Sequence, residues 1–312
     1  AHAMDVVIYS YQRIKDKNPN LADTYENYFK LWYANKANNY DKGDTKYGTT
    51  GFGNRFTDDM CWISLTLIRL SEATGDDTYI NMAKTLYDTQ IITRAWEDEK
   101  GKGLPWKELS VDKTRNACTN APGCLVAAKL YLKFKDAKYL ADAKILCAYV
   151  NANILKSDYR VGEPPLTYTQ GTFGEACRQL YHITQEQSYM AIAEQVISYA
   201  FTSTRCTNKG FLRDEGTDMN QSIFKAVLIP YAVNLVLDDA ASGTVRNTLT
   251  LKLQDNAEAL RKNMDRTQWP AMYCNYYWGS SFNSANIASM GAQASGASLM
   301  EGVARLEAAQ AK

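Results

Sequence analysis

Hydrophobic positions in this chain recur with a helical period almost throughout, and strict apolar-polar alternation is nearly absent. The pattern predicts eleven helices, over 2–17, 20–37, 57–74, 77–93, 115–134, 136–154, 169–184, 186–202, 218–238, 244–264 and 284–308. Two kinds of helix face alternate among them. Residues 57–74 carry Met60, Cys61, Trp62, Ile63, Leu65, Leu67, Ile68 and Leu70, apolar nearly all round, as expected of a helix enclosed on most sides. Residues 244–264 instead set Val245, Leu249, Leu253, Ala257 and Leu260 against a charged face. Residues 218–238 are apolar through Phe224, Val227, Leu228, Ile229, Val233, Leu235 and Val236, with a kink expected at Pro230. The last helix holds Gly291, Gly296 and Gly302, and glycine inside a helix costs ~1 kcal/mol, so close helix approach is expected there. Odd-numbered helices therefore read as inner and even-numbered ones as outer. The expected fold is all-α, a toroid of antiparallel helical hairpins, open at the end where the inner helices start.

A weak repeat supports the pairing. Gly75-Asp76-Asp77-Thr78-Tyr79, Lys135-Asp136-Ala137-Lys138-Tyr139 and Gln185-Glu186-Gln187-Ser188-Tyr189 are each a tight polar turn followed by Tyr, an apolar residue and Ala one turn on. The spacing is too long for tetratricopeptide or ankyrin units, which run ~33–34 residues. No Pro-, Gly- or Ser-rich linker interrupts the chain, so residues 1–312 read as a single domain.

Composition narrows the partners. Lys plus Arg number 35 against 34 Asp plus Glu, so no net field recruits nucleic acid or anionic membrane, and no run of 18 apolar residues spans a bilayer. A neutral ligand and a monomer are expected. With 21 Tyr and 6 Trp the chain is rich in flat apolar faces with a polar handle, which suit sugars. His2 and His182 are the only histidines, too few for a His-rich metal site or a Ser-His-Asp triad, and no metal or cofactor is expected. The seven cysteines, 61, 118, 124, 147, 177, 206 and 274, read mainly as small core residues, with a Cys118–Cys124 disulfide as an alternative. The chain starts at Ala1 inside a predicted helix without a capping residue. An upstream segment such as a signal peptide, and an extracytoplasmic location, are therefore expected.

The chemistry gathers where the odd helices begin. Gly51-Phe52-Gly53-Asn54-Arg55-Phe56-Thr57 leads into Asp58 and Asp59; Trp106-Lys107 precedes Asn116, Cys118 and Asn120; Tyr168-Thr169-Gln170-Gly171-Thr172 opens the seventh helix. Phe211 to Glu215 with Asp218 and Asn220 precede the ninth, and Tyr276-Tyr277-Trp278 the last. Taken alone, Asp58 and Asp59 read as well as helix-start residues, with Thr57 or Asp58 as cap and both charges favoured by the helix dipole at ~0.3–1 kcal/mol each. Five rims decorated with amides, carboxylates and aromatics point instead to a cleft.

Three segments, Asn54-x-x-Thr57-Asp58-Asp59-x-x-Trp62, Trp106 to Asn116 to Asn120, and Tyr168-Thr169-Gln170-Gly171-Thr172, resemble glycoside hydrolase family 76, and the likeness covers nearly the whole chain. That family comprises α-1,6-mannanases and related fungal cell-wall transglycosylases with an (α/α)6 fold. The resemblance implies Asp58 as nucleophile and Asp59 as acid/base, acting on α-mannan. Many members carry Asn where this chain has Thr169. Asn54, Asn116, Asn120, Thr169, Gln170, Gly171 and Thr172 would then line the sugar, with Trp62, Trp106, Tyr168 and Trp278 as stacking candidates. Retaining glycosidases place their carboxyls ~5–5.5 Å apart and inverting ones ~6.5–9.5 Å, so sequence adjacency favours retention. Endo action is expected. The alternatives are a cell-wall mannan transglycosylase and a non-catalytic mannan-binding protein.

Overall fold

The computed structural model describes residues 1–36, 51–282 and 289–311. All eleven predicted helices are present there; residue 37 and residues 284–288 of two of them lie outside the described residues. Tertiary contacts divide the chain into two compact units, with the boundary between Leu155 and Lys156. No compositional break marks that point, because the boundary falls in the short turn that ends a helix.

The first unit holds α1 (His2–Ile14), α2 (Pro19–Ala34), α3 (Thr57–Thr74), α4 (Asp77–Leu86), α5 (Ala117–Phe134) and α6 (Ala137–Asn153). α3 and α5 lie side by side, while α4 and α6 flank them. α3 buries thirteen of its residues, from Thr57 to Ala73, in keeping with its all-round apolar pattern. α1 latches onto it through a buried pair: Asp5 bonds Arg69 at 3.0 Å and accepts from the Thr66 hydroxyl at 2.8 Å. Burying that carboxylate is tolerable because both of its oxygens are paired.

The repeat seen in the sequence is the hairpin turn itself. Gly75, Lys135 and Gln185 each close a helix in the left-handed region, at φ 77°, 57° and 64°. Asp76 and Asp136 then cap the next helix by accepting from Thr78 and Lys138 N–H groups at 2.8 and 3.0 Å. Tyr79 and Tyr139 follow as buried anchors. The predicted helix 77–93 is not α throughout: it widens to a π-turn over Tyr87–Ile91 and tightens to a 3-10 turn over Ile92–Arg94. Next comes a hairpin, β1 (Trp96–Asp98) against β2 (Gly101–Gly103), too short for any alternation to show in the sequence.

The second unit holds α7 (Thr167–Thr184), α8 (Gln187–Thr202), the two-residue strands β3 (Thr207–Asn208) and β4 (Phe211–Leu212), α9 (Phe224–Val236), α10 (Gly243–Asn263) and α11 (Met290–Gln310). α9 lies between α7 and α11, and α10 covers α9 and α11. Pro230 sits inside α9 with its ring buried. Small residues set the spacing. A Cβ at Gly171 of α7 would come within 2.8 Å of the Leu228 Cα on α9, and one at Gly302 of α11 within 2.7 Å of Ile229. No helix among the described residues is long and apolar enough to cross a membrane.

The obstacle at Gly171 is backbone, which cannot turn aside as a side chain can. Gly171→Ala is therefore expected to lower unfolding stability by about 1–3 kcal/mol, the usual cost of overpacking. Chemical denaturation of the two proteins checks this, and equal stabilities would show that α7 and α9 have room to move apart.

Candidate active site

The start of α3 is built from a distance. Its N-cap position is Phe56, and no side chain caps it, so neither Thr57 nor Asp58 fills the capping role that their types allow. The Thr57 N–H instead donates to the Trp106 carbonyl at 2.8 Å, and Glu108 N–H to the Arg55 carbonyl at 3.0 Å. Residues 104–108 thus form a strap across the helix start. Arg94, at the end of the 3-10 turn, holds the other side: its guanidinium donates to the carbonyls of Arg55 (2.9 Å) and Asn54 (2.8 Å) and to the Thr57 hydroxyl (3.3 Å).

Asp58 and Asp59 occupy the first turn between these two clamps. Asp58 Oδ2 accepts from the Trp106 indole N–H at 3.2 Å and from the Cys118 thiol at 3.7 Å. Its Oδ1 is buried with no partner among the described residues. Burial first, then the neighbouring Asp59 charge, pushes the Asp58 carboxyl up to about 7, against the opposing pull of the Trp106 donor. Asp59 is exposed, and Asn54 Nδ2 donates to its Oδ2 at 3.3 Å. Its carboxyl also lies above the ordinary aspartate range, chiefly through desolvation. Asn54 is itself oriented, since its Oδ1 accepts from Phe56 N–H at 2.9 Å.

Of two predicted sugar ligands at the start of α5, Asn120 fastens the strap. Asn120 is fully buried: its Oδ1 accepts from Leu104 N–H at 2.7 Å, and its Nδ2 donates to the Leu104 and Asn116 carbonyls at 3.0 and 2.9 Å. With both N–H groups and its oxygen bonded inside the protein, Asn120 clamps the strap to α5. Asn116 caps α5 by accepting from Thr119 N–H at 3.1 Å and stays partly exposed. Arg115 secures the β1–β2 hairpin, stacked on Trp96 with its guanidinium 3.9 Å from the ring centre and paired with Asp98. Trp62 is buried, at 8% exposure.

In the second unit the motif at the start of α7 is likewise largely structural. Gln170 is fully buried, its Oε1 bound to Val161 N–H and its Nε2 donating to the Tyr159 and Val196 carbonyls at 3.1 and 2.8 Å. Thr169 and Thr172 turn their hydroxyls back onto the Leu166 and Tyr168 carbonyls at 2.9 and 2.8 Å. Gly171 serves the contact with α9. Trp278 is 1% exposed beneath the Lys225 ammonium, 4.1 Å from its ring centre. All five are buried; the polar groups of Thr169, Gln170 and Thr172 bond within the protein, while the Trp278 indole N–H has no partner among the described residues. Tyr168 differs: it is half-buried and stacked on Phe224 with ring centres 4.1 Å apart. No pattern in the sequence pointed to Arg94, whose partners lie 37 to 40 residues away. All seven cysteines are free thiols, and six are buried.

The model of glycosyl hydrolase family 76 matches residues 1–311. The GH76A α-1,6-mannanase of Salegentibacter sp. HEL1_6 is similar in structure, with a TM-score of 0.82 at 24% identity over 98% of this chain and 88% of that one. An inactive variant of that enzyme, with two consecutive aspartates replaced by asparagine, is in complex with α-1,6-mannotriose. A protein of Listeria innocua aligns with a TM-score of 0.81 at 23% identity, covering 99% of this chain and 85% of that one. The α-mannanase BT2949 of Bacteroides thetaiotaomicron follows at 0.76 and 19%, over 100% and 87%. No curated protein matches the sequence.

A carboxyl raised from 3.8 to about 7 favours the folded state only while protonated. That contribution is fully present below about pH 4 and is lost as pH rises through about 7. Asp58→Asn removes the titration, so its melting temperature should exceed that of the parent at pH 8 and converge with it at pH 4. Scanning calorimetry across this range tests the point; an offset that does not vary with pH would refute the shifted carboxyl.

Proposed function

This chain belongs to glycosyl hydrolase family 76, and we propose that it cleaves the α-1,6-mannosidic bonds of a mannan backbone, as an endo-acting, retaining enzyme. The observation that carries this reading is the consecutive pair Asp58 and Asp59 in the first turn of a buried helix, one carboxyl shielded and bonded to an indole, the other exposed. Two carboxylates so close resist ionising together, so the pair holds one proton near neutral pH. With Asp58 as nucleophile, its carboxylate attacks the anomeric carbon while Asp59 gives a proton to the departing glycosidic oxygen. Esterification removes the Asp58 charge. Asp59 then takes a proton from water, which hydrolyses the glycosyl ester and restores both groups.

Raised furthest by burial, Asp58 would by electrostatics alone keep the shared proton, which favours a second reading with the two roles exchanged. Support for the mannan reading comes from the Salegentibacter enzyme, which loses activity without two consecutive aspartates and binds α-1,6-mannotriose. A net charge of +1 suits a neutral polysaccharide and not a nucleic acid. Asn54, Trp106 and Asn116 of the first unit, each half-buried, are the proposed sugar contacts. The family match over 1–311 supports one catalytic domain. Action on external mannan fits an extracytoplasmic monomer.

Asp58→Asn and Asp59→Asn should each lower turnover of linear α-1,6-mannan by about 10²–10⁴-fold or more, with melting cooperativity retained. The α-anomer should be the first product seen by proton NMR. With an aryl α-mannobioside and azide, Asp59→Ala should yield the α-mannosyl azide and Asp58→Ala the β-anomer; the opposite outcome exchanges the roles. Transfer to added mannoside in preference to water would identify a transglycosylase. Mannan binding without any cleavage would leave a binding protein.

A further inference from the structure

Six of the seven cysteines fill the core, and Cys118 does not. It sits in the first turn of α5, partly exposed, with Sγ 3.7 Å from Asp58 Oδ2 and 4.0 Å from the Thr119 hydroxyl. The Trp106 indole reaches the same oxygen at 3.2 Å from the strap. Two donors from two separate elements therefore converge on Oδ2. Oδ1 is buried, with no side-chain partner among the described residues.

We propose that Cys118 is a positioning residue that acts with Trp106 to fix the orientation of the Asp58 carboxyl through Oδ2. The proposal rests on the reading of Asp58 as a catalytic carboxylate. Its physical basis is the asymmetry of the two oxygens. A carboxyl gripped by donors at one oxygen cannot rotate to offer either at random, and a near-attack geometry is kept without reorganisation. A thiol is a weak donor, so it orients the carboxyl without withdrawing as much of its basicity as a hydroxyl would. The elements that carry both donors are themselves pinned, α5 by the Asn116 cap and the strap by Asn120.

The charged and titratable groups facing Asp58 are Asp59 and Cys61 on α3, Cys118 on α5, Arg94 against Thr57, and Lys107 over the Trp106 ring at 4.2 Å. Donors to Oδ2 favour the charged carboxylate, so deleting the thiol raises the pH at which Asp58 ionises.

The test compares the parent with Cys118→Ala, Cys118→Ser and Trp106→Phe. Carbon-13 NMR of the Asp58 carboxyl gives its titration without any need for turnover. Steady-state kinetics on α-1,6-mannotetraose give kcat, KM and their pH profile. Cys118→Ala should move the titration upward by about 0.3–1 unit, and Trp106→Phe should move it in the same direction. Cys118→Ser should return it to the parent value or below, because serine restores a donor. In kinetics, Cys118→Ala should lower kcat by roughly 3–10-fold with KM within about 2-fold of the parent, and the serine variant should recover most of the loss. An Asp58 titration that is unchanged in Cys118→Ala overturns the proposal, whatever the variant's activity. Failure of the parent to cleave mannan would overturn the functional reading instead, a result the carboxyl titration does not depend on.

Discussion

One backbone hydrogen bond organises the candidate site: Thr57 N–H to the Trp106 carbonyl, 2.8 Å, where a helix start is closed by another segment and not by its own side chains. Helix starts leave N–H groups without partners, and such groups are costly when buried. Here the strap over residues 104–108 supplies an acceptor. In doing so it brings the indole of Trp106 onto Asp58. Because a main-chain carbonyl does the capping, the side chains of Asp58 and Asp59 are released from that task and remain available for chemistry.

That arrangement has a thermodynamic consequence. A carboxyl with one buried, unpartnered oxygen and a like-charged neighbour is held at the expense of folding free energy. The surroundings compensate with bonds that involve no substrate. Arg94 ties three groups of the preceding loop, Asn120 ties Leu104 through both its N–H and its carbonyl, and Asp5 with Arg69 anchors α1 to α3. In the second unit Gln170 serves in the same way, joining the loop at Tyr159 and Val161 to α8 at Val196. Amides are well suited to this work, since one side chain can donate and accept at once.

The repeating hairpin turns and the enclosed α3 were legible because each rests on local rules: a left-handed closing residue, an acidic cap, and apolar residues spaced at the helical period. The π-turn at Tyr87–Ile91 and the short strands were not, since they carry too few residues to establish a period. Among candidate site residues, Trp106 meets the aspartate pair through its indole N–H on Asp58. Asn120, Thr169, Gln170 and Thr172 lie in the first two turns of α5 and α7, Trp278 in the segment before α11, and all five are buried. A polar residue at the start of an inner helix can point to a ligand or brace the neighbouring loop, and its type is the same in both cases.

By itself the sequence determined the helical class, the hairpin turns, the family membership over 1–311 and the position of the paired carboxylates, all of which depend on short-range spacing and residue type. Only the tertiary structure decided which polar groups keep unpaired capacity. That property depends on whether a partner from a distant segment arrives within hydrogen-bonding reach. Arg94 meets residues about forty positions earlier, Cys118 meets Asp58 across sixty, and Asn120 turns inward to Leu104. Burial then raised both carboxyls of the adjacent pair, that of Asp58 to about 7, which residue type alone could not express.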